Sequence, residues 1–104
     1  MAYDEALAER VRVSLGGRAG FSERKMFGGI GFLLHGNMAV GVHGDELIAR
    51  VAPERSEEAL AQPHTRVFDM TGRPMKGWLL VGSEADLDPW IAEGAAYAGS
   101  LPPK

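Results

Sequence analysis

Between Ile30 and Val51 short apolar runs follow one another, and two of the polar breaks between them, Gly36-Asn37 and Gly44-Asp45, carry turn chemistry. An apolar run cut at that interval has little choice but a meander of three antiparallel strands. A glycine at the first central position suits a two-residue type II′ hairpin turn, and both punctuations offer one. Residues directly opposite each other across a hairpin share a face of the sheet, so the turns predict the register. Across the first turn Leu34 faces Ala39, Leu33 faces Val40, Phe32 faces Gly41 and Gly31 faces Val42. Across the second, His43 faces Glu46, Val42 faces Leu47, Gly41 faces Ile48 and Val40 faces Ala49. The meander then has one wholly apolar face, made of Gly31, Leu33, Met38, Val40, Val42, Leu47, Ala49 and Val51, to be covered by helices. The other face is mixed: Ile30, Phe32, Leu34, Ala39, Gly41 and Ile48, with His43, Glu46 and Arg50 toward its rim.

Helices flank this sheet. Tyr3, Leu7, Val11 and Leu15 recur every four residues and form one helical stripe, which Gly16-Gly17 stops. Pro53 suits the first turn of a second helix over 54–61, which Pro63 ends. Arg66-Val67-Phe68 reads as a short strand, 69–74 as a turn-rich connection, and Trp78-Leu79-Leu80-Val81 as a strand with cover on both faces. A last helix starts near Asp86 and buries Leu87, Trp90, Ile91, Gly94, Ala95 and Ala98. Gly94 and Ala95 leave room for close approach to the sheet. The order is α-β-β-β-α-β-β-α: an α+β fold in two layers, with an antiparallel sheet and the helices mostly on one face. The 104 residues make a single domain, 1–104, with a short extended tail at 100–104.

Composition narrows the functional classes. With no cysteine in the chain, disulfides, thiolate nucleophiles and cysteine-containing zinc sites are excluded. The net charge is −3. Residues 1–52 carry six Lys/Arg against six Asp/Glu, and residues 53–104 carry five against eight, so neither half offers a basic footprint for nucleic acid. The first twelve residues hold Asp4, Glu5 and Glu9 without an apolar stretch and do not read as a signal peptide. No apolar run is long enough for a membrane span. A cytoplasmic location is expected.

No residue pattern commands a chemistry. Gly28-Gly29-Ile30-Gly31 is glycine-rich, but it precedes a strand that ends in a hairpin. A phosphate loop needs its glycines between a strand and a helix, so these are read as a bend or bulge at the entrance to the sheet. His43 paired with Glu46, near Arg50, is the best candidate for acid–base or ligand chemistry. His35 and His64 lie elsewhere, so no three-ligand metal site forms. The carboxylate pairs Glu57-Glu58 and Asp86-Asp88 complement helix N-termini. Arg66, Arg73 and Lys76 form the one local basic cluster of the acidic half and are a candidate for binding an anion or an acidic partner. Trp78 and Trp90 read as core anchors.

Two motifs carry a family resemblance. Lys25-Met26-Phe27-Gly28-Gly29, the strand-rich middle, Arg73-Pro74-Met75-Lys76-Gly77 and the closing Leu101-Pro102-Pro103-Lys104 together resemble the N-terminal domain of the TfoX/Sxy competence-regulator family. The resemblance spans nearly the whole chain and implies a secretion-chaperone-like α+β fold. It implies no catalytic residues and no cofactor. Full-length members promote competence-gene transcription together with the cyclic-AMP receptor protein. They bear an additional C-terminal domain of helix-hairpin-helix character, for which residues 1–104 leave no room, so the expectation is a stand-alone N-terminal domain to which that role carries over poorly, at most as an accessory regulator. The expectation is a non-enzymatic interaction module whose binding surface is the mixed face, Ile30, Phe32, Leu34, His43, Ile48 and Arg50. An exposed apolar patch of that kind marks an interface, with an unknown protein partner or with a second copy of the chain.

Overall fold

In a computed structural model the meander stands at the centre of a six-stranded antiparallel sheet, and the structure describes residues 3–26, 28–68 and 76–103. Helix α1, Glu5–Leu15, leads into β1, Phe21–Met26, then β2, Gly29–Leu34, β3, Asn37–His43, and β4, Glu46–Arg50. A single 3-10 turn, Pro53–Arg55, runs into the short helix α2, Ser56–Leu60. Strands β5, Thr65–Val67, and β6, Trp78–Val81, precede helix α3, Asp88–Ser100. The strand order is β1-β2-β3-β4-β6-β5. The α+β class and the element order are as expected, with one strand added. Strand β1 shows no apolar alternation: Ser22, Glu23, Arg24 and Lys25 are all exposed, because β1 is an edge strand. Charged side chains on an edge strand discourage pairing with other chains.

The second hairpin has the expected register, from His43 opposite Glu46 to Val40 opposite Ala49. The first does not. Its turn is His35-Gly36, both at positive φ (51° and 83°), with Leu34 opposite Asn37. Positive φ at both central residues makes the turn type I′ rather than II′. The register then shifts: Leu33 faces Met38, but Phe32 faces Val40, and Ala39 is the extra residue of a β-bulge. Moving the turn by one position shifts the pairing by two residues, which preserves faces. The bulge takes one residue back, and that odd step exchanges the faces of β2. Ile30, Phe32 and Leu34 therefore lie on the helix-covered side with Val40, Val42, Leu47, Ala49 and Val51. Gly41 faces Gly31 rather than Phe32.

Both sheet faces are buried, unequally. Helices α1 and α3 cover the main core, contributing Leu7, Ala8, Val11 and Leu15 from one and Ile91, Ala95 and Ala98 from the other. Asp4 caps α1, its Oδ1 accepting from the Ala6 and Leu7 amides at 2.9 and 3.2 Å. Helix α3 sits tight on β3 because of Gly94, where an added Cβ would stand 2.3 Å from the Ala39 carbonyl oxygen. The opposite face holds a smaller cluster of Leu33, Met38, Ile48, Phe68 and Leu80, with Trp78 packed against it. The expected double cover of β6 comes from this division: Leu79 and Val81 enter the main core, Leu80 the second cluster.

Ion pairs fasten the helices. Arg10 of α1 reaches Asp88 at 2.8 Å, Arg12 reaches Glu23 of β1 at 2.7 Å, and Arg55 reaches both carboxylate oxygens of Glu93 in α3 at 2.6 and 2.8 Å. The chain beyond α3 turns extended at Leu101, and the Asn37 amide donates to the Pro102 carbonyl at 2.9 Å. No helix among the described residues is long and apolar enough to cross a membrane.

Candidate functional site

The surface expected from the sequence is taken apart by the bulge. Ile30 and Leu34 are each 3% exposed and Phe32 is fully buried, all beneath the helices. Phe32 stacks on Phe21 with ring centres 6.1 Å apart, and the Arg12 guanidinium lies 5.9 Å from its centroid. Ile48 lies on the opposite face, fully buried in the second cluster. These four residues therefore form no exposed patch: one register step sends the β2 side chains inward, and the second cluster covers Ile48.

His43, Glu46 and Arg50 do share the second side of the sheet, but they are engaged separately. His43 stands half-buried opposite Glu46. Glu46 is gripped by Arg66, whose Nε donates to its Oε2 at 3.0 Å and whose Nη2 donates to its Oε1. Arg50 lies four residues along the strand from Glu46, roughly 13 Å at the usual rise of a strand. Among the described residues no group of three His, Asp or Glu is placed to hold a metal ion. The basic cluster is also divided: Arg66 is paired with Glu46, Lys76 is exposed, and Arg73 lies outside the described residues, as does the turn-rich connection expected at 69–74.

The glycine motif Lys25–Gly31 spans the tight hairpin between β1 and β2, with Met26 opposite Gly29. A Cβ on Gly29 would lie 2.0 Å from the Val42 carbonyl oxygen, so the strand can approach β3 only with glycine there. The expected bend or bulge at the entrance to the sheet is instead a hairpin within it, because β1 has already joined the sheet, and the motif leads into a strand rather than a helix.

What the structure assembles instead is a setting for Arg50. At the end of β4 it stands directly opposite Trp78 of β6. Its guanidinium carbon lies 4.7 Å from the Trp78 ring centroid and 5.1 Å from that of Tyr97 on α3. Its Nη1 donates to the Met38 carbonyl at 3.0 Å. Among the described residues no carboxylate pairs with it, whereas Arg10, Arg12, Arg55 and Arg66 each hold at least one. Burial lowers the Arg50 pKa from its ordinary value, since desolvation disfavours the charged form. Arg12 and Arg55, by contrast, are raised by the hydrogen bonds they donate to their carboxylates. The aromatic partners were not legible as such. Trp78 meets Arg50 through the β4–β6 pairing, which sets these residues, 28 positions apart, opposite each other, and Tyr97 lies on α3, which Gly94 seats close on the sheet.

A shallow cleft of about 270 Å³ opens between the 3-10 turn and α3, lined by Arg55, Gln62, Asp86, Pro89, Trp90 and Glu93. Its one cation, Arg55, is already bound to Glu93 and Glu58.

Searches among curated proteins and among solved structures found no match. The model of the TfoX N-terminal domain family matches residues 14–98, from the end of α1 to the last turns of α3. That span includes the glycine hairpin, the bulged meander and the Arg50 setting, and the chain belongs to the TfoX N-terminal domain family.

Proposed function

We propose that this chain is a non-enzymatic protein-interaction module that works in the cytoplasm as an accessory regulator of the competence-regulator type. The observation that carries the reading is the family match over residues 14–98. Charge supports a protein partner over nucleic acid. The net charge is −3, and the ion pairs already hold most of the arginines on the helices and edge strands.

The test has two arms. Transcript profiles are compared between a deletion strain and the same strain complemented with the wild-type chain. In parallel, tagged protein is captured under native conditions, and each captured candidate is purified and mixed with the chain to see whether a complex forms at fixed stoichiometry. A defined transcript set that responds to deletion and recovers on complementation, together with a reconstituted complex, is the expected result. An unchanged profile with no reconstitutable complex would overturn the reading.

A further inference from the structure

We propose that Arg50, set between Trp78 and Tyr97, is the docking point for a carboxylate side chain of an acidic, partly apolar segment of a protein partner. The inference rests on the interaction-module reading and names the chemistry of the contact.

A guanidinium carries five N–H donors in a planar fork and stays charged throughout the ordinary pH range. Among the described residues Arg50 matches one donor, on Nη1, to an oxygen, the Met38 carbonyl. The two rings offset part of the charge by cation–π attraction, at 4.7 and 5.1 Å, but an aromatic face supplies no oxygen acceptor. Among the described residues no counter-charge meets this half-buried cation, a costly arrangement that becomes favourable when a carboxylate arrives to take the unused donors. Desolvation of the site strengthens that pairing relative to one made in open water.

The position favours docking rather than internal repair. Arg50, Trp78 and Tyr97 are all only partly buried. Arg50 lies where both layers meet, with Trp78 belonging to the second sheet face and Tyr97 to the helical layer. Two partly exposed rings beside one cation suit an acidic residue flanked by an apolar one. Among the described residues one guanidinium meets these rings, and in a chain of net charge −3 that suits nucleic acid poorly, since phosphate backbones are held by several cations acting together.

The experiment is a nuclear magnetic resonance titration that follows the Arg50 Nε–H and Trp78 indole N–H signals. The probe is a capped peptide of alternating glutamate and leucine. Its glutamine counterpart and inorganic phosphate are titrated in parallel. Saturable shifts of both signals are expected with the glutamate peptide, weaker by roughly tenfold or more with the glutamine peptide, as for loss of a charge-assisted pair. Arg50→Met is expected to abolish the response, and Arg50→Lys to weaken it by losing the fork. If Arg50→Met does not fold, the glutamine comparison on the wild-type chain decides alone. Equal binding of the two peptides, binding retained in folded Arg50→Met, or phosphate bound as tightly as the glutamate peptide would each overturn the proposal. A reconstituted complex as strong with Arg50→Met as with the wild type would overturn it while leaving the regulator reading intact.

Discussion

At the scale of single residues, the sharpest consequences concern Phe32 and Gly94. Phe32 is fully buried, stacked on Phe21 and in reach of Arg12. Phe32→Ala is expected to destabilise the fold by about 3–5 kcal/mol, the range for emptying a buried aromatic site. Phe32→Asp adds a buried carboxylate and is expected to leave the chain unfolded, because domains of this size hold only about 5–15 kcal/mol in total. Urea denaturation followed by circular dichroism checks both, and a wild-type transition in Phe32→Asp would place this ring outside the core. Gly94 makes the opposite argument. Any Cβ there meets the Ala39 carbonyl oxygen at 2.3 Å and the Val40 side chain at 2.8 Å. Gly94→Ala gains helix propensity of about 1 kcal/mol yet has to lift α3 off the sheet. A net loss of about 1–3 kcal/mol is expected, as for overpacking, and a stabilised variant in the same denaturation assay would contradict the close approach.

The bulge and the helix clamps belong to the scale of elements. Ala39 is the extra residue that brings Val40 opposite Phe32. Deleting it shifts the pairing of β2 with the rest of β3 by one residue and exchanges the faces of Ile30, Phe32 and Leu34. The deletion is therefore expected to abolish the cooperative thermal transition, whereas Ala39→Gly retains the register and a transition at lower temperature. The Arg55–Glu93 pair joins the 3-10 turn to α3 with both contacting side chains about a third exposed, at 36% and 29%. Solvent screening limits such a pair to about 0.2–1 kcal/mol. Arg55→Met is expected to lower the melting temperature by a few degrees at low salt. Differential scanning calorimetry in high salt should find the gap narrowed, since screening weakens the pair in the wild type.

For the molecule as a whole, the sheet order predicts where the structure opens first. β3 and β4 are paired on both sides and packed on both faces. β5 is an edge of three residues, with Arg66 and Val67 exposed. Native-state hydrogen exchange is expected to be slowest for the amides of β3 and β4 and to reach β5 much sooner. Comparable protection in β5 and β4 would mean that the sheet opens as one unit.

How much of this was legible from the residues depends on the range of the interactions that decide each feature. The helices, the α+β class, the second hairpin with its register and the close approach at Gly94 are written locally, in periodicity, turn chemistry and small residues. The glycine motif, too, announced no phosphate loop, because the residues after it carry a strand pattern. Strand β1 was invisible because an edge strand with four exposed residues in a row carries no alternation to read. The face assignment of Ile30, Phe32 and Leu34 failed because an apolar β2 flanked by glycines fits either phase. Only packing chose between them: the bulge at Ala39 lets the larger side chains of β2 fill the space beneath α1 and α3. The Arg50 setting was beyond local reading for the same kind of reason, since its two rings come from a strand and a helix far along the chain. Local sequence announced every element but β1 and where most of them end. The tertiary structure decided which faces they turn to each other, because side-chain volume beneath two helices outweighs the small preference of a single turn.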